Sequence, residues 1–486
     1  MSVDHRKAFG QFYTPDFVAR SLVAWAIRTP HDRMLDPSCG DGRFLRLHRR
    51  SVGVEQDPQA HSQARAQAPW ALIHEGDFFS WARETEERFD AAVGNPPFIR
   101  YQRFSGETRR TALDLCRSLG ADFSALTSSW APFLVAAAAL LKPGGRLAFV
   151  IPAEIGHAPY ARPLLDYLLD HFRFVQVIAV RKKLFPNLSE DAWLLYANGY
   201  AEARTTCELR FTTTERFQFL PLPPATGQTV SRTELELWRG RLRPFLLPRQ
   251  LRKLYQRIAK SSETIRLGSV ARIGIGYVTG ANNFFHLRPS TARQLGIPTR
   301  LLQPTVRAGR LLPRRAVTNE TVCNWIDQDE QTLLLRLDRS MKIPRSVIRY
   351  LDSAEGLQAR EAYKCRNRNP WYSVPNVTIP DGFLSYMSSR APSLVANLAS
   401  CACTNSVHAI QLRTGADFGR LQRNWSSDLV ALSSELEGHP LGGGVLKVEP
   451  GEATRILVPL RPLTKSAEIA DIREGVGQLR SWRHRA

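Results

Sequence analysis

A short proline-rich turn near residue 95 has the residue types needed to hold a planar amino group. It reads Gly94-Asn95-Pro96-Pro97-Phe98. Proline has a restricted φ angle and no amide hydrogen, so the carbonyl groups of this turn are rigidly placed and are not used by a helix or sheet. The Asn95 side-chain oxygen and the Pro96 carbonyl can accept both hydrogens of an NH2 group, which makes its nitrogen more nucleophilic. Phe98 offers a flat face to a base, so the turn predicts chemistry on a nucleobase amino group.

Three acidic residues upstream of this turn lie where predicted strands end. Asp36 leads the glycine turn Leu35–Phe44, where glycines allow a ligand close to the backbone and the acid suits a ligand with an ammonium group. Glu55 ends the next strand and can accept both hydroxyls of a ribose, and Asp77 can accept from an adenine amino group. Alone, the glycine turn also fits an ordinary strand-to-helix connection. Because ligands of open parallel sheets lie at the carboxyl ends of strands, the three acids together predict a small adenosine-containing ligand.

The first 200 residues alternate short apolar runs with helical patterns, which is typical of a parallel sheet with crossover helices. A helix is predicted from about Ser129 to Leu141, with Ser129 as its cap and the Lys142–Gly145 turn as its end. Only about nine residues separate Gly42 from Val52, so a truncated helix is expected between them. The predicted strands are Arg33–Asp36, Val52–Glu55, Leu72–Glu75, Ala91–Gly94, Arg146–Ile151, Phe174–Val180 and Ala192–Ala197.

Positive charge is concentrated in the second half of the chain. Residues 1–230 carry 27 Lys and Arg against 24 Asp and Glu, a net charge of +3, whereas residues 231–486 carry 39 against 21, a net charge of +18. A field of this size suits a polyanion, although a basic surface that only maintains solubility remains an alternative. Proline and threonine accumulate between Phe211 and Val230, which indicates a connection between two domains at residues 205 to 240.

The composition is that of a globular protein. The chain has 486 residues, of which 43% are hydrophobic, and 31 Gly and 31 Pro are too few for a fibrous or wholly disordered chain. No apolar run approaches the roughly 20 residues of a membrane span, and no signal-peptide pattern follows Met1, so a cytoplasmic protein without a membrane partner is expected. The seven cysteines are scattered, which predicts buried thiols; Cys401, Cys403 and His408 are too few for structural zinc, and no metal site is expected.

The order of these motifs resembles the γ class of S-adenosylmethionine-dependent N6-adenine DNA methyltransferases found in restriction-modification systems. The run Phe12–Pro15 comes first, followed by the acid-led glycine turn, Glu55, Asp77, the Asn-Pro-Pro-Phe turn and a carboxyl-terminal recognition region. The resemblance is close over roughly residues 9–200, with Phe98 standing where many members have tyrosine. It implies an α/β fold: a Rossmann-like class I methyltransferase domain with a mainly parallel seven-stranded sheet (residues 1–205), a linker (206–240) and a mixed α+β DNA target-recognition domain (241–486).

The resemblance also implies S-adenosylmethionine as the cofactor and a role for each matching residue. Asn95, Pro96, Pro97 and Phe98 are the implied catalytic residues, and Phe98 and Phe185 would stack on the two faces of the target base. Thr14 is implied to hold the methionine carboxylate. The other implied cofactor-binding residues are Asp36, Ser38 and Gly40 for the methionine part, Glu55 for the ribose, and Asp77, the Phe78 backbone and the Phe133 ring for the adenine. Gln56 is also an implied cofactor-binding residue.

Two segments of the second half, Arg272–Asn283 and Leu441–Pro450, resemble the opening and closing parts of the family's recognition regions. They imply double-stranded DNA as the partner, with basic residues on phosphates and polar side chains on base edges. The candidates for DNA contact are Arg272, Asn282, Arg307 and Arg310. A monomer is expected, and a separate restriction endonuclease is a possible partner because the chain begins almost at the methyltransferase motifs.

The implied function is site-specific methylation of adenine N6 in DNA of a bacterial or archaeal cell, as protection in a restriction-modification or phage-defence system. The target adenine must be rotated out of the duplex to reach the cofactor. No cysteine lies in the Asn-Pro-Pro-Phe turn, which argues against cytosine-C5 chemistry, and the transfer requires no metal ion. Two alternatives remain: an RNA or protein-glutamine N-methyltransferase, since the same turn occurs in such enzymes, and a non-catalytic DNA-binding defence subunit.

Overall fold

The computed structural model describes residues 14–185, 191–202 and 207–483, which form two compact units, Met1–Leu246 and Leu247–Ala486. A sheet of nine strands, two more than the seven expected, lies at the centre of the first unit. Its strands are β1 (Met34–Asp36), β2 (Ser51–Glu55), β3 (Leu72–Glu75), β4 (Phe89–Gly94), β5 (Leu141–Pro152), β6 (Phe172–Val180), β7 (Ala192–Tyr200), β8 (Glu208–Thr214) and β9 (Gln228–Val230). All seven strands predicted from the sequence are confirmed.

The order of the strands is β3-β2-β1-β4-β5-β7-β6-β8-β9. The five strands β1 to β5 run parallel to one another, whereas β7 runs antiparallel to both β5 and β6. From β1 the next strands along the chain, β2 and β3, are added on one side, and β4 and β5 are added on the other side. Ligands of doubly wound α/β proteins bind at such a switch point, which here lies between β1 and β4. The predicted Rossmann-like class is therefore confirmed, and the carboxyl ends of β1, β2, β3 and β4 share one edge.

Strands β8 and β9 come from residues that the sequence predicts to be a linker. β8 pairs in parallel with β6 along its whole length, and β9 pairs antiparallel with β8. Leu209 and Phe211 of β8 are 1% exposed. The threonines at 212 to 214 suggested a linker, but threonine is also a strong strand former, and the apolar residues beside them bury the strand. Along the chain, the boundary between the two compact units falls between residues 246 and 247 rather than at 240.

Helices pack against the strands of the first sheet. The helix Asp16–Ala26 buries Val18 and Leu22 against β4 and β5, in one cluster with Met34 and Val93. The alanine-rich helix Trp130–Ala139 is buried almost throughout. The predicted truncated helix is confirmed as the single 3₁₀ turn Leu45–Leu47. The remaining helices are Pro58–Gln67, Phe78–Glu84, Gly106–Ser118, Ala161–His171 and Arg232–Leu237, with 3₁₀ turns at Ala153–Gly156 and Arg243–Leu246.

The second unit is a mixed α+β domain, as predicted. Its largest sheet has five strands in the order Ala271–Ile275, Val407–Leu412, Gly382–Ser385, Leu394–Asn397 and Ala316–Val317. A four-stranded sheet follows the order His286–Leu287, Leu333–Leu335, Leu302–Val306, Ala402–Cys403, and smaller sheets join Thr264–Arg266 with Leu457–Pro459, and Met387–Ser388 with Leu446–Lys447 and His439–Pro440.

Short helices pack around these sheets. They are Arg249–Ala259, Leu267–Val270, Asn282–Phe285, Pro289–Gln294, Asn319–Asp327, Arg345–Leu351, Ala354–Glu361, Tyr363–Arg366, Phe418–Trp425, Asp428–Glu437, Pro450–Ala453 and Ser466–Ser481, with 3₁₀ turns at Thr299–Leu301, Gly309–Leu311 and Gly442–Gly444.

None of the helices among the described residues is both long enough and apolar enough to cross a membrane. Within the same residues, no three His, Cys, Asp or Glu side chains are grouped as ligands for a metal ion. The prediction of buried thiols is confirmed for five cysteines, whereas Cys207 is half-buried and Cys323 is exposed. The five are Cys39, Cys116, Cys365, Cys401 and Cys403.

Candidate active site

A cavity lies at the shared edge where β1, β2, β3 and β4 end. The structure brings ten of the residues singled out from the sequence to its wall: Thr14, Ser38, Gly40, Glu55, Gln56, Asp77, Phe78, Asn95, Pro97 and Phe133. These residues come from six separate segments of the chain. The predicted site is therefore assembled as one cavity, although residues 12 and 13, which belong to the first motif, lie outside the described residues.

Asp36 lies beneath this cavity, fully buried at the end of β1. Its Oδ1 accepts a hydrogen bond from the Ser38 amide at 3.2 Å, while its Oδ2 has no hydrogen-bond partner in the described structure. Burial raises the pKa of the Asp36 carboxyl well above its usual range, and the carboxylates of Glu55 and Asp41 raise it further. A buried acceptor without a partner is costly, which suits a site completed by a donor from a ligand.

Glu55, at the end of β2, is hydrogen-bonded by backbone amides on both sides of its carboxylate. Its Oε2 accepts from the Gly40 amide at 2.9 Å and its Oε1 from the Asp57 amide at 2.8 Å. Gly40 has a φ of +54°, and a Cβ placed on it would meet no atom within 4 Å, so its backbone borders open space. Burial raises the pKa of Glu55, and the two amide bonds oppose this rise. The carboxylate thus holds the glycine turn in place with further lone pairs available for hydroxyl groups.

Asp77 and two phenylalanines form another part of the cavity wall. Asp77 caps the helix Phe78–Glu84, because its Oδ2 accepts from the Ser80 amide at 2.8 Å and from the Ser80 hydroxyl at 2.9 Å. The sequence predicted this carboxylate as a ligand group but missed that one of its oxygens holds the helix. The rings of Phe78 and Phe133 stack with centroids 5.2 Å apart and planes at 14°. They form a continuous apolar surface at this end of the cavity.

The Asn-Pro-Pro-Phe turn is held by a residue from another segment. The Ser129 hydroxyl donates to the Pro97 carbonyl and accepts from the Ile99 amide at 3.1 Å, and the Ser129 amide donates to the Ile99 carbonyl at 2.9 Å. Asn95 and Pro97 line the cavity, while Pro96 is buried behind them. Ser129 stands at the N-cap position of the helix Trp130–Ala139, as the sequence predicted, but its side chain makes no capping bond.

The two predicted stacking aromatics lie at different depths. Phe98 is half-buried and packs against the core cluster of the first unit, and Phe185 belongs to that cluster with 7% exposure. Neither ring lines the cavity beside the ten residues named above. The structure therefore leaves Phe98 partly accessible and buries Phe185 among apolar side chains, so the stacking role of Phe185 stays a prediction.

The sequence missed several residues of the glycine turn that line the cavity. Arg43 donates to the Thr14 carbonyl at 2.7 Å and to Asp41 Oδ2 at 3.1 Å, which ties the start of the first helix to the turn. Cys39 also lines the cavity, and burial beside Asp36 raises the pKa of its thiol well above the usual value. All of them follow Asp36 within eight positions, so their place in the motif was the available signal.

The four DNA-contact candidates of the second unit differ in what they touch. Arg310 forms a two-armed ion pair with Glu330, with both nitrogen–oxygen distances at 3.2 Å. Arg307 donates to the side chains of Asn283 and Gln331. The Asn282 side-chain oxygen accepts from the Thr279 hydroxyl at 2.6 Å. Arg272 is exposed on the strand Ala271–Ile275 without an ion-pair partner among the described residues, which makes it the most available of the three arginines.

Family comparisons match both parts of the chain. A model described as the C-terminal domain of type II methyltransferase M.Eco57I matches residues 240–483, which is half of the chain. A second, described as Eco57I restriction-modification methylase, matches residues 52–185. The first match covers the basic unit, and the second covers the segment from β2 to Phe185 that includes the Asn-Pro-Pro-Phe turn.

Individual relatives agree with these models. Type II methyltransferase M.AccI of Acinetobacter calcoaceticus is 20% identical over 94% of this chain and 86% of that protein. A tRNA1(Val) (adenine(37)-N6)-methyltransferase of Actinobacillus succinogenes is 33% identical, but over 28% of this chain and 59% of that protein. The solved structure of the type IIL restriction-modification enzyme MmeI in complex with DNA is similar in fold, with a TM-score of 0.56, 12% identity, and coverage of 94% of this chain and 69% of that one.

Proposed function

This chain belongs to the type II restriction-modification methyltransferases related to M.Eco57I, and from that membership we propose that it transfers a methyl group from S-adenosylmethionine to the N6 amino group of adenine in double-stranded DNA. One observation carries the proposal: the acid-led glycine turn and the Asn-Pro-Pro-Phe turn line the same cavity. The transfer would protect host DNA within a restriction-modification system.

The residues around the cavity fit S-adenosylmethionine. The buried Asp36 Oδ2 lacks a donor, and the cationic methionine part would supply one. The open backbone at Gly40 leaves room for the ligand, and the further lone pairs of Glu55 would accept ribose hydroxyls. The stacked Phe78 and Phe133 would pack against the adenine ring, with the second oxygen of Asp77 facing its amino group. Thr14, Ser38 and Gln56 complete the wall.

The chain's own residues would orient and activate the target base. When bound, the cofactor supplies a methyl group on a sulfonium. Rotating an adenine out of the duplex costs a few kcal/mol, and stacking on Phe98 would return about 1 to 3 kcal/mol. The Asn95 side-chain oxygen and the Pro96 carbonyl would then accept the two N6 hydrogens, which concentrates the nitrogen lone pair on the side that faces the donor. Catalysis would come mainly from this positioning and from the fixed acceptors.

The environment of Cys39 disfavours methylation at cytosine C5. That reaction requires a thiolate nucleophile, and Cys39 is a cysteine of the cavity wall. Burial raises the pKa of its thiol well above the usual value, and the neighbouring carboxylates of Asp36 and Glu55 raise it further, so the thiol stays protonated. An amino-group target is therefore favoured. Adenine rather than cytosine N4 is proposed because a tRNA adenine-N6 methyltransferase is 33% identical to this chain over 28% of its length.

A second candidate function is methylation of adenine in RNA. The similarity to the tRNA enzyme supports it, but that similarity covers 28% of this chain. The basic second unit instead matches the C-terminal domain of a type II methyltransferase, which favours DNA.

The proposal is tested by incubating the full chain with methyl-labelled S-adenosylmethionine and either bacterial duplex DNA or total tRNA, followed by nucleoside digestion and mass spectrometry. We expect label in N6-methyldeoxyadenosine from the duplex. Label in N4-methylcytosine or 5-methylcytosine would refute the adenine assignment, and label in tRNA alone would refute the DNA assignment. Single-molecule sequencing of a host genome with and without the gene would then identify the target sequence.

A further inference from the structure

Ser129 connects the Asn-Pro-Pro-Phe turn to the helix Trp130–Ala139. Three hydrogen bonds cross between the two segments: Ser129 hydroxyl to Pro97 carbonyl, Ile99 amide to Ser129 hydroxyl, and Ser129 amide to Ile99 carbonyl. Ser129 is 1% exposed, so water does not compete strongly for these bonds. The serine hydroxyl is used as both donor and acceptor, so its one hydrogen and one of its two lone pairs are committed to the turn.

The turn has few other backbone groups by which it can be held. Pro96 and Pro97 carry no amide hydrogen, so hydrogen bonds that anchor this stretch must use its carbonyls or the amides that flank the prolines. Ser129 uses one of each, the Pro97 carbonyl and the Ile99 amide. A serine that precedes a helix normally bonds an amide of that helix, but here the hydroxyl reaches a segment 30 residues earlier.

The same helix carries Phe133, one turn after Ser129. The Phe133 amide donates to the Ser129 carbonyl at 3.3 Å, and the Phe133 ring stacks on Phe78 in the cavity wall. The helix segment from Ser129 to Phe133 therefore connects the turn assigned to the target amino group with the part of the wall assigned to the cofactor's adenine. Helix geometry fixes the distance between residues 129 and 133, so the hydroxyl bonds determine where the turn sits relative to that wall.

We propose that Ser129 is a positioning residue, which holds the Asn95–Phe98 turn at the distance from the cofactor wall that methyl transfer requires. The inference rests on the proposed function and adds to it a residue that touches neither cofactor nor target. Loss of the hydroxyl is expected to slow the chemical step while leaving cofactor binding intact, because Glu55, Asp77 and Phe133 keep their places.

The test compares three variants of the full chain. Ser129→Ala removes the hydroxyl, and Ser129→Thr keeps one. Ser128→Ala is a matched control, since Ser128 is the adjacent residue, is 4% exposed and interacts with the side chain of Tyr160 rather than with the turn. In single-turnover methylation with saturating S-adenosylmethionine, we expect Ser129→Ala to be slower by about 100-fold, as misplacement of reacting groups by about 1 Å produces. We expect Ser129→Thr and Ser128→Ala to stay close to the wild-type rate, and calorimetry to give similar cofactor affinities for all four proteins.

A second readout does not depend on activity. The Ile99 amide bonds the Ser129 hydroxyl, so its hydrogen exchange should speed up in Ser129→Ala and remain slow in Ser129→Thr and Ser128→Ala. Unchanged exchange in Ser129→Ala, or equal rate losses in Ser128→Ala and Ser129→Ala, would overturn the positioning role. If the wild-type protein methylates no DNA, the proposed function fails, whereas the exchange experiment still decides whether Ser129 holds the turn.

Discussion

The carboxylate of Glu55 accepts a hydrogen bond from the backbone amide of Gly40, with 2.9 Å between Oε2 and N. This bond joins the end of β2 to the glycine turn that follows β1. The other carboxylate oxygen accepts from the Asp57 amide at 2.8 Å, so one side chain shapes two segments of the cavity wall.

Substitution Glu55→Gln is expected to weaken cofactor binding. An amide has one acceptor oxygen, so either the Gly40 or the Asp57 amide loses its partner. We expect Kd for S-adenosylmethionine to rise by about 10- to 100-fold, measured by calorimetry. Glu75→Gln is the control, because Glu75 ends the neighbouring β3 with a side chain that is 56% exposed. Equal affinities of the two variants would contradict the role of Glu55.

The raised pKa of Asp36 predicts opposite pH effects on stability and on binding. A carboxyl whose pKa is higher in the folded than in the unfolded protein stabilises the fold at low pH, and this contribution is lost as the pH rises through the folded-state pKa. The amide side chain of the variant Asp36→Asn cannot ionise, so the variant does not lose this stability at high pH. It should unfold at a higher temperature than the wild type near pH 8, with a smaller difference at about pH 5. Thermal unfolding without cofactor at the two pH values measures this.

The affinity for the cofactor should depend on pH in the opposite direction to the stability. A cationic ligand group pairs with the ionised Asp36, so wild-type affinity should increase with pH and binding should release a proton. Asp36→Asn should bind about 10- to 100-fold more weakly and lose the pH dependence. A wild-type affinity that is independent of pH would contradict this assignment of Asp36.

Asn95→Ala is expected to remove methyl transfer and keep cofactor binding. The substitution deletes one of the two proposed acceptors for the N6 hydrogens, and loss of such a group typically lowers a rate by about 100-fold or more. Asn198→Ala is a matched control, since the Asn198 side chain accepts a hydrogen bond from Arg146 where β5 pairs with β7, and neither residue lines the cavity. Loss of both transfer and binding in Asn95→Ala would mean that the site is wrongly assigned.

DNA affinity is expected to fall steeply as salt is added, because the basic unit would displace counterions from phosphates. Arg272→Gln should lower affinity about tenfold and reduce the slope of log K against log salt by about one. Arg310→Gln should change the DNA affinity and the salt slope little, because the Glu330 carboxylate already neutralises that guanidinium, with nitrogen–oxygen distances of 3.2 Å. Fluorescence anisotropy with duplex DNA between low and high salt measures both quantities. A flat salt response would exclude the basic unit as the DNA surface.

Much of the candidate site could be predicted from local sequence. Asp36 and Glu55 each end a short apolar run and Asp77 follows a third strand by two residues, and such runs identify strands without knowledge of their neighbours. The truncated helix at Leu45–Leu47 was likewise predictable, because nine residues cannot form a full crossover helix. The threonine-rich segment at 208–214 was misjudged, since its pairing with β6 depends on an edge that local composition does not reveal.

The sequence by itself determined the motifs, their order and the sheet edge where they meet, because residues at the carboxyl ends of parallel strands converge whatever the connecting helices do. Only the tertiary structure decided which atoms find partners there. It left Asp36 Oδ2 without a donor, used one oxygen of Asp77 to cap a helix, buried Phe185 in the core and directed the Ser129 hydroxyl to the Asn-Pro-Pro-Phe turn. Hydrogen bonding and burial are settled between side chains that are distant in sequence, and no local pattern encodes those distances.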